Sequence, residues 1–343
     1  MIRETLSLDL DAMLADLDAD VRELDMLLQV EDVVDRMFAE QVGSFVHRPF
    51  GDRMAFRPGE LTIWAGMGGS GKSQLVGQVI AWALAEGETA TIASLEMPME
   101  TTLRRMWTQI LDAPPTLGAA KAWAEAMKGR LFLYDQIDRV PADRMLSMVR
   151  VASQLLECRH VVIDSLTKCG LPQDGEGHLT KQTDFVDRLQ HAVKHLGCHC
   201  HLVVHLRKGE SAQRRSMHDI RGASQISDLA DNVLILVRDT EKERVLEEAA
   251  MKPESQWSDK FAKLVDMARD RPDAVLQVEK QRATGWLGDI RLDFHHRSGQ
   301  FIKHGTSQAM PWRLAGGYGD SAGPSENAGY GACRYRKNEV ETW

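Results

Sequence analysis

One octapeptide constrains this chain more than anything else in it. Gly66-Met67-Gly68-Gly69-Ser70-Gly71-Lys72-Ser73 follows a short apolar run at 61–65 and precedes a helix-like stretch at 74–85. Strand, glycine-rich loop and helix in that order make a cradle for phosphate. Gly66, Gly68, Gly69, Ser70 and Gly71 let backbone N–H groups wrap a β-phosphate, and the helix opening at Lys72, Ser73 and Gln74 adds its positive end. Lys72 would reach the β- and γ-phosphates, and Ser73 would hold Mg²⁺. The chain is expected to bind a nucleotide.

Downstream, apolar runs alternate with helical patterns. Strands are predicted at 61–65, 89–94, 131–134, 160–164, 199–205, 232–237 and 275–279, and a terminal hairpin begins at 290–295. Helices are predicted at 74–85, 99–111, 142–156 and 184–196. Buried strands separated by helices imply an α/β fold with a mostly parallel sheet covered on both faces. Residues 241–273 read as a charged, helical insertion with no assignable role. No internal repeat is visible.

The formal charge of −8 is unevenly placed: residues 1–42 carry twelve acids against three bases, so the rest of the chain is slightly basic. Leu10, Leu14, Leu17, Val21, Leu24 and Leu28 form a narrow apolar seam in that acidic stretch. The spacing predicts an amphipathic helix over part of 1–44, packed either on its own domain or on a neighbouring subunit. No run of about 18 apolar residues predicts a membrane span, so no membrane partner is expected. The start, Met1-Ile2-Arg3-Glu4, runs at once into acidic residues, which argues against a signal peptide, and five cysteines in 343 residues suit a reducing compartment. Residues 305–343 are rich in Gly, Ser, Asn and Ala and are expected to be a flexible tail.

Two carboxylates extend the phosphate site. Asp164 ends the apolar strand Val161-Val162-Ile163, where an acid would support Mg²⁺, although strands end in Asp by chance too. Glu96 lies in Ser94-Leu95-Glu96-Met97-Pro98, just after the second strand. It could act as general base toward a water at the γ-phosphate, or simply cap the next helix.

Gly59-Glu60-Leu61 leading into the loop, the Glu96 box, Val162-Ile163-Asp164-Ser165 and Lys280-Gln281-Arg282, taken in order, resemble DnaB-type replicative helicases. Phage primase–helicases and mitochondrial Twinkle belong to the same superfamily. The resemblance covers about residues 45–304 and implies a RecA-like ATPase core using ATP and Mg²⁺, with the acidic N-terminal helix as linker. It implies that His205 senses the γ-phosphate, and that Lys280 and Arg282 reach into the next subunit's nucleotide, Arg282 as the trans finger. It places DNA contacts in residues 206–222, with Arg207, Lys208, Arg214, Arg215, Arg221 and Gly222 tracking the backbone of single-stranded DNA. A second, weaker contact would come from the loop around 168–181. It further implies a hexameric homo-oligomer, 5′–3′ movement, a cytoplasmic setting in a bacterial host, phage or prophage encoding, and a separate primase, polymerase or loader. The acidic, aromatic C-terminus is similar to tails by which some phage helicases hold a polymerase. Two other readings stay open: a RecA- or RadA-like recombination ATPase forming filaments, and a non-motor nucleotide-binding scaffold.

Cys198-His199-Cys200-His201 invites a zinc reading. Successive strand residues point to opposite faces, so four neighbours cannot converge on one ion. Trp64 reads as core packing.

Overall fold

The computed structural model describes residues 45–111, 116–172, 177–206, 215–220 and 224–313. The acidic N-terminal helix expectation and most of the tail lie outside these residues, as do Arg207, Lys208, Arg214, Arg221 and Gly222.

Among the described residues nine strands form one sheet: β1 (Leu61–Gly66), β2 (Ala90–Ser94), β3 (Leu131–Leu133), β4 (His160–Asp164), β5 (His199–His205), β6 (Asn232–Arg238), β7 (Ala274–Gln281), β8 (Gly288–His295) and β9 (Gln300–Lys303). Their spatial order is β3-β2-β4-β5-β1-β6-β7-β8-β9. The first six run parallel, and β7, β8 and β9 add an antiparallel extension. The arrangement is the α/β fold with a mostly parallel sheet that the sequence predicts. The predicted terminal hairpin is thus the outer part of a three-stranded wing, whose strands are less completely buried than the parallel ones.

Every residue of β1, β2 and β4 is buried, as both faces of the sheet are covered by helices. One face packs α1 (Lys72–Ala85), α2 (Met99–Leu111) and α3 (Leu117–Ala126) around Trp64, Leu75, Val79, Met106 and Trp123. The other packs α4 (Ala142–Gln154), α5 (His178–Leu196) and α6 (Ser224–Leu229) around Ile63, Val149, Phe185, Leu189 and Ile226. α2 shows why a helix forms here: Met99, Thr102, Met106, Gln109 and Ile110 are its buried residues, three, four, three and one apart.

Two helices differ from the sequence reading. α3 was not predicted, because only Ala120 and Trp123 are buried along it, too short a stripe to register. It is capped by Thr116, which accepts from Ala119 N at 3.2 Å. α5 begins six residues earlier than the apolar pattern, at His178. Its polar first turns are secured by Gln182, a buried amide that donates to Pro172 O at 2.7 Å.

The insertion at 241–273 is a helical pair, α7 (Thr240–Ala250) and α8 (Asp259–Arg269), with a small core of its own from Val245, Ala249, Val265 and Ala268. Asp239 caps α7 by accepting from Lys242 N at 2.8 Å, and Ser258 caps α8. Among the described residues no helix is long and apolar enough to cross a membrane.

Candidate nucleotide-hydrolysis site

Parallel strands deliver their C-terminal ends to one edge of the sheet, and the chemistry collects there. In register, Ser94 lies beside Asp164, Asp164 beside Val203, and His205 beside Gly66. The phosphate-binding loop, Glu96, Asp164 and His205 thereby share one cleft of about 830 Å³.

The loop is shaped by local sterics. Gly71 has φ +94°, and a Cβ there would sit 2.8 Å from the Phe301 ring. A Cβ on Gly66 would meet Ser70 Oγ at 2.6 Å and Leu236 O at 2.8 Å. Both positions admit only glycine. Lys72 Nζ donates to Gly66 O at 2.9 Å and Met67 O at 2.8 Å, which holds the ammonium at the loop's mouth. Burial pushes its pKa down, against the pull of Asp164 and Glu96. Ser70 Oγ is buried with no protein partner, an orphan that a phosphate oxygen would satisfy. Gln74 lines the cleft, but its amide donates to Gly299 O at 2.8 Å, so the side chain ties α1 to the β8–β9 turn.

Asp164 is 7 % exposed, and burial raises its pKa while the Ser73 hydroxyl stabilises its charge. One hydroxyl and one carboxylate beside a phosphate cradle are the hard oxygen donors that Mg²⁺ takes, the remainder coming from phosphate and water. Ser73 and Asp164 would hold it.

Glu96 is the most heavily engaged side chain. Its Oε1 accepts from Ser165 Oγ at very short range, from Thr167 Oγ1 at 3.3 Å and faces His205 Nε2 at 3.4 Å. Thr167 Oγ1 also lies 2.6 Å from Ser165 Oγ, so its one hydrogen serves either that hydroxyl or the carboxylate. The His205 hydrogen bond first, then the Ser165 and Thr167 hydroxyls, hold the carboxyl down at about 2 against the opposing effect of burial. Glu96 is therefore ionised at neutral pH. It faces the cleft rather than merely capping α2.

Lys280 and Arg282 are elsewhere. β7 runs antiparallel to β6, pairing Ala274 with Arg238 at the cleft edge and Gln281 with Asn232 at the opposite edge. Seven residues of strand separate the two edges by about 20 Å. Lys280 donates to Ser227 O (3.0 Å) and Asp228 O (2.7 Å). Arg282 donates to Asp228 O (2.7 Å) and pairs with Asp231 at 3.2 Å. Neither group can reach the cleft of its own chain.

The basic segment after β5 is described only at its stem. Leu206 and Ile220 form an antiparallel bridge and are both buried, so the excursion leaves and rejoins the core directly beyond His205. Arg215, expected among the DNA contacts, is 8 % exposed in this chain.

The cleft also holds residues that the sequence reading passed over. Arg238, the last residue of β6, pairs with Glu243 of α7 at very short range and donates to Gly69 O at 3.3 Å. Strand-end reasoning would have found it, had that strand not been stopped at Val237. Phe294, His296 and Phe301 from the antiparallel wing form an aromatic shelf, with Phe294 and Phe301 centroids 5.2 Å apart. Glu243, Leu246, Glu247 and Ala250 of α7 complete the wall, which gives part of the insertion a place in the site.

On the strand itself, His199 and His201 lie on the α1 face against Phe56, while Cys198 and Cys200 belong to the opposite core. The four side chains diverge. Trp64 is buried as expected, and its indole N–H also donates to His201 Nδ1 at 3.2 Å.

Comparisons with known proteins agree with this architecture. A family model described as an AAA domain matches residues 54–211. A solved structure of an ATPase domain is similar at 15% identity and TM-score 0.60, over 80% of this chain and 98% of that one. A DnaB-like replicative helicase, solved in a study of its interactions with primase, is similar at 14% identity and TM-score 0.54. That similarity spans 72% of this chain and 58% of the helicase's length.

Proposed function

We propose that the chain is an ATP-driven, ring-forming DNA helicase that moves along single-stranded DNA in replication, in the manner of DnaB-type proteins. The observation that carries this reading is the separation of Arg282 and Lys280 from the cleft on opposite edges of one sheet. A head-to-tail assembly of identical chains would bring the arginine edge of one against the phosphate edge of the next. The hexamer of this family is such an assembly.

Within the site, Lys72 and the loop N–H groups hold the triphosphate, and Phe294 and Phe301 offer a surface to the base. Bound by Ser73 and Asp164, Mg²⁺ would neutralise charge on the β- and γ-phosphates. Glu96 orients a water for in-line attack. Its oxygen bonds to the γ-phosphorus, the bond to the β–γ bridging oxygen breaks, and the water proton passes to Glu96 or to a phosphate oxygen, leaving ADP and inorganic phosphate. Arg282 of the neighbouring chain stabilises the charge that develops. His205 touches Glu96 and stands at the root of the basic excursion, so Arg207, Lys208, Arg214, Arg221 and Gly222 are suited to pass the nucleotide state to a DNA backbone. Movement is 5′–3′ on this reading, and priming is left to a separate chain.

The test is ATP turnover with and without single-stranded DNA, wild type beside Glu96→Gln, followed by a forked-duplex unwinding assay. Strong stimulation by DNA, abolished in the variant, is the expected result. ATP binding without turnover under either condition would sink the motor. Closed rings rather than filaments in micrographs would separate the helicase from a recombination ATPase.

A further inference from the structure

Arg282 is anchored in a way that can be followed into the core. One terminal nitrogen of its guanidinium donates to Asp231 Oδ1 at 3.2 Å, and the other donates to Asp228 O at 2.7 Å. A guanidinium carries more N–H groups than these two contacts use, so part of the fork stays uncommitted. The Arg282 side chain is 44 % exposed and that of Asp231 only 8 %. The grip comes from beneath and leaves the rest of the group open to a neighbour.

Asp231 is itself fixed from several sides. Its Oδ2 accepts from Leu61 N–H at 2.9 Å, its own N–H donates to Leu61 O at 2.9 Å, and its carbonyl accepts from Arg282 N–H at 3.0 Å. Leu61 is fully buried and opens β1, the strand that ends at Gly66 in the phosphate loop. One carboxylate oxygen is thus committed to the core and the other to the guanidinium. Lys280 donates instead to the carbonyls of Ser227 and Asp228 at the C-terminal end of α6, an ordinary place for a basic side chain. Only Arg282 of the two has a hydrogen-bonded carboxylate beneath it.

An arginine left loose at a surface samples many rotamers, and it must be ordered each time a composite site assembles. A buried acid that holds the fork in advance removes that cost and fixes its direction. We propose that Asp231 is a positioning residue for hydrolysis in the adjacent subunit, aiming the Arg282 fork at the neighbour's nucleotide before the two chains meet. This rests on the assignment of Arg282 as the trans finger and adds the group that directs it. Asp231 touches no substrate and acts through Arg282.

The experiment is steady-state ATP turnover by the full chain for wild type, Asp231→Asn, Arg282→Ala and the double variant. Each single variant is also mixed with Glu96→Gln chain. Asp231→Asn leaves one oxygen for two donors, so an amide NH₂ faces either Leu61 N–H or the guanidinium. Its kcat is expected to fall by about ten- to hundredfold with the KM for ATP unchanged. Added to Arg282→Ala, it is expected to cause no further fall. Mixing Asp231→Asn with Glu96→Gln should restore turnover well above either alone, because the Glu96→Gln chain brings an intact finger to an intact cleft. Where Asp231→Asn does not fold, Asp231→Glu takes its place with the same expectations, since it keeps an acceptor for Leu61 N–H and shifts the guanidinium by one methylene. An unchanged or raised kcat overturns the proposal, as does a further fall in the double variant. A merely structural role damages the chain's own cleft, which mixing does not repair. The functional reading fails separately: if Arg282→Ala mixed with Glu96→Gln regains nothing, the trans finger and its positioning residue both go. Recovery there without recovery for the Asp231 variant removes only the positioning role.

Discussion

His201 and His205 stand four residues apart on one strand and on the same face of it, yet they live in different media. His205 ends β5 at the cleft, beside the ionised Glu96. His201 is sealed at the other end of the sheet with His160, His199, Trp64 and Phe56. There the polar atoms have only each other. The indole of Trp64 can only donate, so His201 Nδ1 accepts and its Nε2–H donates to His160 Nδ1 at 3.1 Å. A second chain runs from Asn232 to Thr62 (3.1 Å), on to His199 Nε2 (2.9 Å), and from His199 Nδ1 to Arg57 O (2.7 Å). His199 and His201 are thereby satisfied at both ring nitrogens in the neutral form. Desolvation holds His160 down at about 3, His199 at about 4 and His201 well below the usual histidine range. One strand thus uses histidine as a dry structural connector at its start and as a wet partner for a carboxylate at its end.

The contrast can be broken from either side. The largest effect belongs to the wet end: Glu96→Gln is expected to lower ATP turnover by about 10²–10⁴-fold while ATP binding is retained. At the dry end, His201→Leu strands the Trp64 indole N–H and His160 Nδ1. Calorimetry or denaturant titration should show a loss of about 2–4 kcal/mol, with the KM for ATP unchanged in the folded protein. A stability loss below about 0.5 kcal/mol would mean that those bonds contribute little.

Acid sharpens the same comparison. The buried rings have folded pKa values below the ordinary 6.5, so their stabilising effect is complete above that value and is lost as pH falls, because the unfolded chain takes up protons that the folded one refuses. By pH 5 the loss should approach about 2 kcal/mol per ring, read as a falling thermal midpoint between pH 7 and 5. Glu96, also depressed, acts in a lower window: its contribution is intact above about 4.5 and fades toward its folded value of about 2. A midpoint flat from pH 7 to 5 would contradict the sealed histidines. The smallest effect is expected for His205→Gln, which keeps a donor at the cleft: turnover about tenfold lower, stability unchanged, and the acid response above pH 5 the same as wild type.

Much of the site was legible because it sits at strand ends, where sequence shows an apolar run stopping at a functional residue. Gly66 to Ser73, Glu96, Asp164 and His205 could be placed that way. Arg238 escaped by one residue of boundary. The aromatic shelf escaped for a deeper reason: Phe294 and Phe301 are more than 220 residues from Gly66 along the chain, and only the pairing of β1 with β6, then β7 to β9, brings the wing over the loop. Helix α7 escaped because its role is positional, since Glu243 and Glu247 read as ordinary surface acids until the pair folds against the cleft.

The packing of Phe301 on Gly71 bears on how far this protein can be cut. The stretch matched by the AAA family, 54–211, contains Lys72, Glu96, Asp164 and His205. A fragment with those ends would nonetheless lose β6, which covers one side of β1, and β9, whose phenylalanine lies against the phosphate loop. The strand bearing the loop would become a raw hydrophobic edge, open to pairing with another chain. Lys72, Glu96, Asp164 and His205 would all be present in the clone and the assembled cleft would be missing, so the smallest unit worth dissecting runs through Lys303.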